Sequence, residues 1–210
     1  MEPDPRVIQF LMGLRRLGWA NEATLSAIER TPRDLFAPEG HGAQAYDEAA
    51  LAIEEGEHML PPTAAAALAA VVGAEPREKV MEIGTGTGYL TAILARLARR
   101  VYTIERHRTV SIAAESRFQS MRLNNIVAMR GDGNEGWPGQ APFDCIILTA
   151  ATHAPPEALL MQLREGGVLA GPVGGDEGLR LMRYTREGDD AVAKQIYDGP
   201  IGAIGLLGAA

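Results

Sequence analysis

The 210-residue sequence predicts a doubly wound α/β domain built on a mostly parallel sheet, with an N-terminal helical extension and an antiparallel C-terminal hairpin. Three observations carry that prediction. From Lys79 onward, short apolar runs alternate with segments of helical spacing, the pattern of βαβ units covered on both faces. The first run passes straight into the turn Gly84-Thr85-Gly86-Thr87-Gly88, and sheets of this kind bind ligands beyond the carboxyl ends of their strands. The composition, 46% hydrophobic and 22% charged, suits one domain with a sizeable core.

Val7, Leu11 and Leu14 recur at helical spacing, and Asn21 is placed to cap a second helix carrying Leu25 and Ile28. Residues 31–42 are rich in Pro and Gly and read as loop. A third helix is expected from Thr63, after Pro61-Pro62, to Gly73. Strands are expected at 79–83, 101–104, 126–129, 143–148 and 167–172, with helices at 90–97, 110–121 and 154–163. Leu90, Ile93, Leu94 and Leu97 form one apolar stripe and are assigned to the core. Residues 179–184 and 191–197 alternate as an antiparallel hairpin, before a Gly-rich end at 199–210. The whole reads as a single domain, with 1–75 on the substrate side and 76–210 as the ligand-binding core.

Composition excludes several function classes. A net charge of −7 argues against a nucleic-acid partner, because a phosphate footprint needs clustered Lys and Arg. The single cysteine, Cys145, excludes an internal disulfide and a cysteine-rich zinc site; it lies in the apolar run 143–148 and reads as an inert buried thiol. No metal is expected. The N-terminus lacks a secretory pattern, and the apolar run at 64–74 is too short to span a bilayer, so a cytoplasmic protein with no membrane partner is expected.

Glycine at the strand–helix turn lets backbone bend tightly and lets a ligand approach it closely. Glu105 ends the next strand, 21 residues after Gly84, where a carboxylate can accept both hydroxyls of an adenosine ribose. A dinucleotide would require a third glycine at Tyr89, and Glu82 would repel a pyrophosphate. That carboxylate suits instead the positively charged methionine end of S-adenosylmethionine. Gly131-Asp132-Gly133 and Thr149 follow later strands on the same edge, with Asp132 placed to accept from an adenine amino group or, on a plainer reading, to shape the turn.

These residues sit among longer matches. Arg30-Thr-Pro-Arg-Asp-Leu-Phe-Ala-Pro38, Ala45-Tyr-Asp-Glu48, Val80-Met-Glu-Ile-Gly-Thr-Gly-Thr-Gly-Tyr89, Gly131-Asp-Gly133 with Gly136-Trp-Pro138, Ala141-Pro-Phe-Asp144, and the stretch 163–174 resemble the protein-L-isoaspartate (D-aspartate) O-methyltransferases. The resemblance implies a class I, Rossmann-like methyltransferase using S-adenosylmethionine, with S-adenosylhomocysteine as product, and repair of damaged aspartyl residues. It places Met59, Glu82, Gly84, Thr85, Gly86, Gly88, Tyr89, Glu105, Arg106, Gly131, Asp132 and Gly133 with the cofactor. On the substrate side the family's His-Gly-Gln-Thr-Ile-Ser segment becomes Glu55-Gly56-Glu57-His58-Met59-Leu60, with Leu60 at the serine position. The family's Phe-Val-Pro-Leu becomes Ala203-Ile204-Gly205-Leu206. Catalytic-side candidates are therefore His58, Thr149 and the Leu60 position. The implied partner is a protein or peptide carboxylate, a different acceptor such as a small molecule being the alternative, along with a cofactor-binding protein that has lost turnover. His41, His107 and His153 are assigned to structure or surface, and Trp19 and Trp137 to packing.

Overall fold

The computed structural model describes residues 4–73, 77–175 and 178–197. Helix α1 (Pro5–Leu17) is stopped at both ends by local chemistry. Asp4 accepts from the Arg6 amide at 2.8 Å, and Gly18 at φ +77° returns its amide to the Arg15 carbonyl. Asn21 caps α2 (Glu22–Glu29) by accepting from the Thr24 amide at 2.9 Å, as its position predicts. Helix α3 (Pro62–Gly73) is almost wholly buried, the place for an alanine-rich helix that is apolar all round.

The stretch read as loop contains more order than its composition suggests. A 3₁₀ turn at Arg33–Phe36 buries Arg33 and Phe36. Further on, β1 (Leu51–Ala52) and β2 (His58–Met59) form a two-residue antiparallel ladder, too short to leave a periodicity in the sequence.

Strands β3 (Arg77–Ile83), β4 (Ala98–Glu105), β5 (Ile126–Arg130), β6 (Phe143–Leu148), β7 (Leu163–Gly175), β8 (Gly178–Glu187) and β9 (Asp190–Tyr197) form one sheet in the order β5-β4-β3-β6-β7-β8-β9. The first five in that order are parallel, and β8 and β9 close the sheet as an antiparallel meander. The chain steps outward from β3 to β5, then returns to the other side of β3 as β6. Direction reverses between β3 and β6, which opens a crevice at their carboxyl ends.

Side chains alternate across the strands into two cores. Val80, Val101, Cys145 and Ile147 pack under α1, α2, α3 and α4 (Tyr89–Leu97). Met81, Ile83, Tyr102, Ile104, Ile146 and Leu148 face the other way, toward Leu159 and Trp137. The helix expected at 154–163 is the four-residue α6 (Glu157–Leu160). Pro155-Pro156 holds the chain extended ahead of it, and by Leu163 the backbone has already joined β7. Helix α5 (Arg108–Ser120) flanks β4 and β5. The expected boundary at 75 and the segments at 199–210 and 203–206 lie outside the described residues. Among the described residues no helix is long and apolar enough to cross a membrane.

Candidate cofactor and acceptor site

The glycine turn sits at the crevice, and its three glycines have different reasons to be there. Gly84, Gly86 and Gly88 all have left-handed backbone, at φ +91°, +53° and +86°. A Cβ on Gly84 would lie 2.2 Å from Thr149 Oγ1, and one on Gly88 2.6 Å from the Phe118 ring. Those two are fixed by protein packing. A Cβ on Gly86 would meet no protein atom within 4 Å, and Gly86 lines the adjoining cavity.

Glu105, buried at the end of β4, shapes the same turn. Its Oε2 accepts from the Gly86 amide and its Oε1 from the His107 amide, both at 2.9 Å. A carboxylate with one amide on each oxygen keeps lone pairs for further donors. Replacing Glu105 with Ala is expected to weaken S-adenosylhomocysteine binding about 10- to 100-fold, the weight of charge-assisted hydrogen bonds. Titration calorimetry giving unchanged affinity would place the nucleoside elsewhere.

Glu82 does not face the crevice as a bare carboxylate. It is fully buried, and its Oε2 accepts from Thr91 at 2.5 Å and Thr103 at 2.7 Å. Thr85 completes the chain by bonding Thr103 at 2.6 Å. Oε1 has no hydrogen-bond partner among the described residues. Burial raises the Glu82 pKa to about 8 against the pull of the two threonines, and the charge of Glu105 adds to the rise. At neutral pH this is a protonated interior acid, so charge repulsion is not how it would discriminate between ligands.

Gly133 brings the loop after β5 against β3, since a Cβ there would lie 2.2 Å from Ile83 Cγ2. Gly131 donates its amide to the Glu105 carbonyl at 3.0 Å. Asp132, exposed beside them, accepts from the Asn134 amide at 2.9 Å and shapes the turn. Arg106, about half exposed, pairs with Glu57 at 2.5 Å. His107 approaches the same carboxylate at 3.3 Å, and Thr109 donates to Glu55 at 2.7 Å. Together these contacts fasten the 54–57 segment to the corner between β4 and α5.

That segment leads into a cavity lined by Arg33, His58, Met59, Leu60, Ala65, Tyr89, Leu90, Thr149 and the turn from Gly84 to Thr87. Met59 and Leu60 are buried, and His58 is half-buried. The Thr149 hydroxyl bonds the carbonyls of Ile83 and Gly84, at 3.0 and 2.8 Å, so its proton holds the turn in place. Tyr89 is buried against Arg33; desolvation raises the pKa of its phenol, and the guanidinium pulls it partly back. Arg33 is the lining residue that residue-by-residue reading missed. Among the remaining candidates, His41 and His153 are exposed, Trp137 packs edge-on against Tyr102 at 5.5 Å, Trp19 packs against the helical core, and Cys145 is fully buried. Among the described residues no cluster of His, Cys, Asp or Glu could hold a metal ion.

Comparison with known proteins bears on this site. The model of the protein-L-isoaspartate(D-aspartate) O-methyltransferase family matches residues 7–199. The chain belongs to that family. Among its relatives, the protein-L-isoaspartate O-methyltransferase of Maricaulis maris is 50% identical over 196 residues, 93% of this chain and 92% of that one. That of a Caulobacter species is 45% identical over 89% of this chain and 85% of its own. The crystal structure of a Plasmodium falciparum protein-L-isoaspartate O-methyltransferase in complex with S-adenosyl-L-homocysteine superposes with a TM-score of 0.78, covering 93% of this chain and 96% of that one; at 19% identity it speaks for the fold. As a member of the protein-L-isoaspartate O-methyltransferase family, the chain is an S-adenosylmethionine-dependent O-methyltransferase. The residues present fit that cofactor: an unobstructed Gly86, a buried Glu105 at the neighbouring strand end, and a cavity opening from the turn.

Proposed function

We propose that the chain methylates the free carboxylate of isoaspartyl residues in proteins and peptides. The observation that carries this reading is 50% identity to a protein-L-isoaspartate O-methyltransferase over nearly the full length of both chains.

Bound S-adenosylmethionine supplies a methyl group on a sulfonium, open to in-line displacement. An ordinary aspartyl carboxyl titrates near pH ~3.9, so the acceptor arrives ionised at neutral pH and needs no strong base. The protein's part is alignment, which can supply several kcal/mol of the barrier. The turn at 84–88, held by Thr149 and Glu105, fixes one reactant. Met59, Leu60 and Leu90 give the cavity an apolar wall that excludes water from the other. The resulting ester loses methanol when the neighbouring backbone nitrogen attacks its carbonyl, giving a succinimide that reopens partly to the normal linkage.

Methyl transfer from labelled S-adenosylmethionine to an isoaspartyl peptide, with none to its aspartyl counterpart, is the expected result. Equal labelling of both peptides, or of neither, overturns the reading. The apolar side chain at position 60 favours one competitor, a different acceptor in the same cavity. Robust isoaspartyl turnover that survives His58→Ala counts against it.

A further inference from the structure

Arg33 heads the fully buried side chains of the described residues by volume. It lies on no strand or long helix and is held by its own hydrogen bonds. Its Nε donates to the Ala45 carbonyl at 2.5 Å, and its Nη2 donates to the Leu60 carbonyl. The guanidinium carbon lies 4.6 Å from the centre of the buried Tyr89 ring. Nη1 is buried with no partner at full hydrogen-bond geometry among the described residues, although the Tyr89 hydroxyl lies close enough to the guanidinium to act on it. No carboxylate pairs with the group there either. Glu48, which acts on it through space, accepts instead from Thr63.

An arginine stays charged even where burial pulls its pKa down. The fold therefore keeps a dry cation without an anion, with one donor unsatisfied, in the wall of the cavity. Such an arrangement is strongly disfavoured unless a partner arrives. Its position narrows the choice of partner. The guanidinium is tied to the backbone of Leu60, whereas Glu105 holds the Gly86 amide and is not among the residues lining the cavity.

We propose that Arg33 Nη1 donates to one oxygen of the acceptor carboxylate and leaves the other free to attack the methyl carbon. This rests on the isoaspartyl reading above. Leu60 offers no side-chain donor, so Arg33 supplies one from beneath. The same contact favours release, because the carboxylate charge disappears when the new O–C bond forms and the S–C electron pair returns to sulfur. The ester left behind is a weaker acceptor for the guanidinium.

Arg33→Lys and Arg33→Met are tested against an isoaspartyl peptide and its carboxamide analogue, the analogue being measured as an inhibitor. Both variants are expected to raise KM for the peptide about 10- to 100-fold. They leave carboxamide inhibition and S-adenosylhomocysteine affinity within about twofold, so the preference for carboxylate over carboxamide collapses. A loss of S-adenosylhomocysteine affinity with the preference intact assigns Arg33 to the methionine carboxylate and overturns the proposal, as does no change. Should both variants fail to fold, the wild-type protein decides. The slowest-exchanging guanidinium resonance must move when isoaspartyl peptide joins the S-adenosylhomocysteine complex and stay put with the carboxamide. Movement with S-adenosylhomocysteine alone, or no movement with peptide, overturns it. Absence of wild-type isoaspartyl turnover fells the function reading itself, whereas turnover that Arg33 variants retain unchanged fells only this proposal.

Discussion

Gly86→Val is expected to abolish S-adenosylhomocysteine binding while the protein still folds. At φ +53° a β-branched residue is strained, which costs the fold on the order of 1–2 kcal/mol. The new side chain meets no protein atom within 4 Å of its Cβ and grows into the cavity, so packing adds little to that cost. The ligand loses its close approach to the backbone. A fall in affinity of at least about 100-fold is expected, equivalent to roughly 3 kcal/mol, with a melting temperature lowered by only a few degrees. Calorimetry and thermal unfolding on one sample separate the two effects, and undiminished affinity refutes the placement of the cofactor. The same change at Gly84 would behave differently, because Thr149 Oγ1 already stands 2.2 Å from the added carbon.

Glu82→Gln is expected to flatten the pH dependence of stability between about pH 5 and 8. In the folded protein the acid titrates near 8; in the unfolded chain it titrates near its ordinary 4.5. Across that interval the folded state holds a proton that the unfolded state has released. The wild type therefore loses stability as pH rises through the interval, by an amount on the order of a few kcal/mol, and loses nothing further above it. Glutamine keeps the shape and the acceptor for Thr91 and Thr103 and cannot ionise. Denaturation midpoints at four pH values give the answer: parallel wild-type and variant curves would mean that Glu82 is ionised in the fold.

Much of this protein is legible because its sheet is written in local terms. Each buried parallel strand is a short apolar run closed by a turn residue, and the spacing from Gly84 to Glu105 is set by one helix and one strand. What escaped reading depends on contacts between distant segments. Glu82 looks like a charged ligand until the register puts Thr103 beside it and α4 lays Thr91 over it. Thr149 looks like a free hydroxyl until β6 brings it onto the Gly84 carbonyl. Arg33, in a proline-flanked stretch with Arg30 and Asp34, has the composition of surface loop. Only the carbonyls of Ala45 and Leu60, far along the chain, turn it inward.

Glu105 and Arg106 are neighbours in sequence, as are Glu57 and His58, and the ion pair between Arg106 and Glu57 joins the two couples. One bond at the protein surface thus connects the turn that Glu105 holds to the strand that carries His58 and Met59. Dissolved ions screen exposed charge pairs far more than buried ones, and Glu105 is buried where Arg106 is half in water. Ionic strength consequently acts on the two couples unequally, weakening the Arg106–Glu57 pair while Glu105 keeps its hold on the turn.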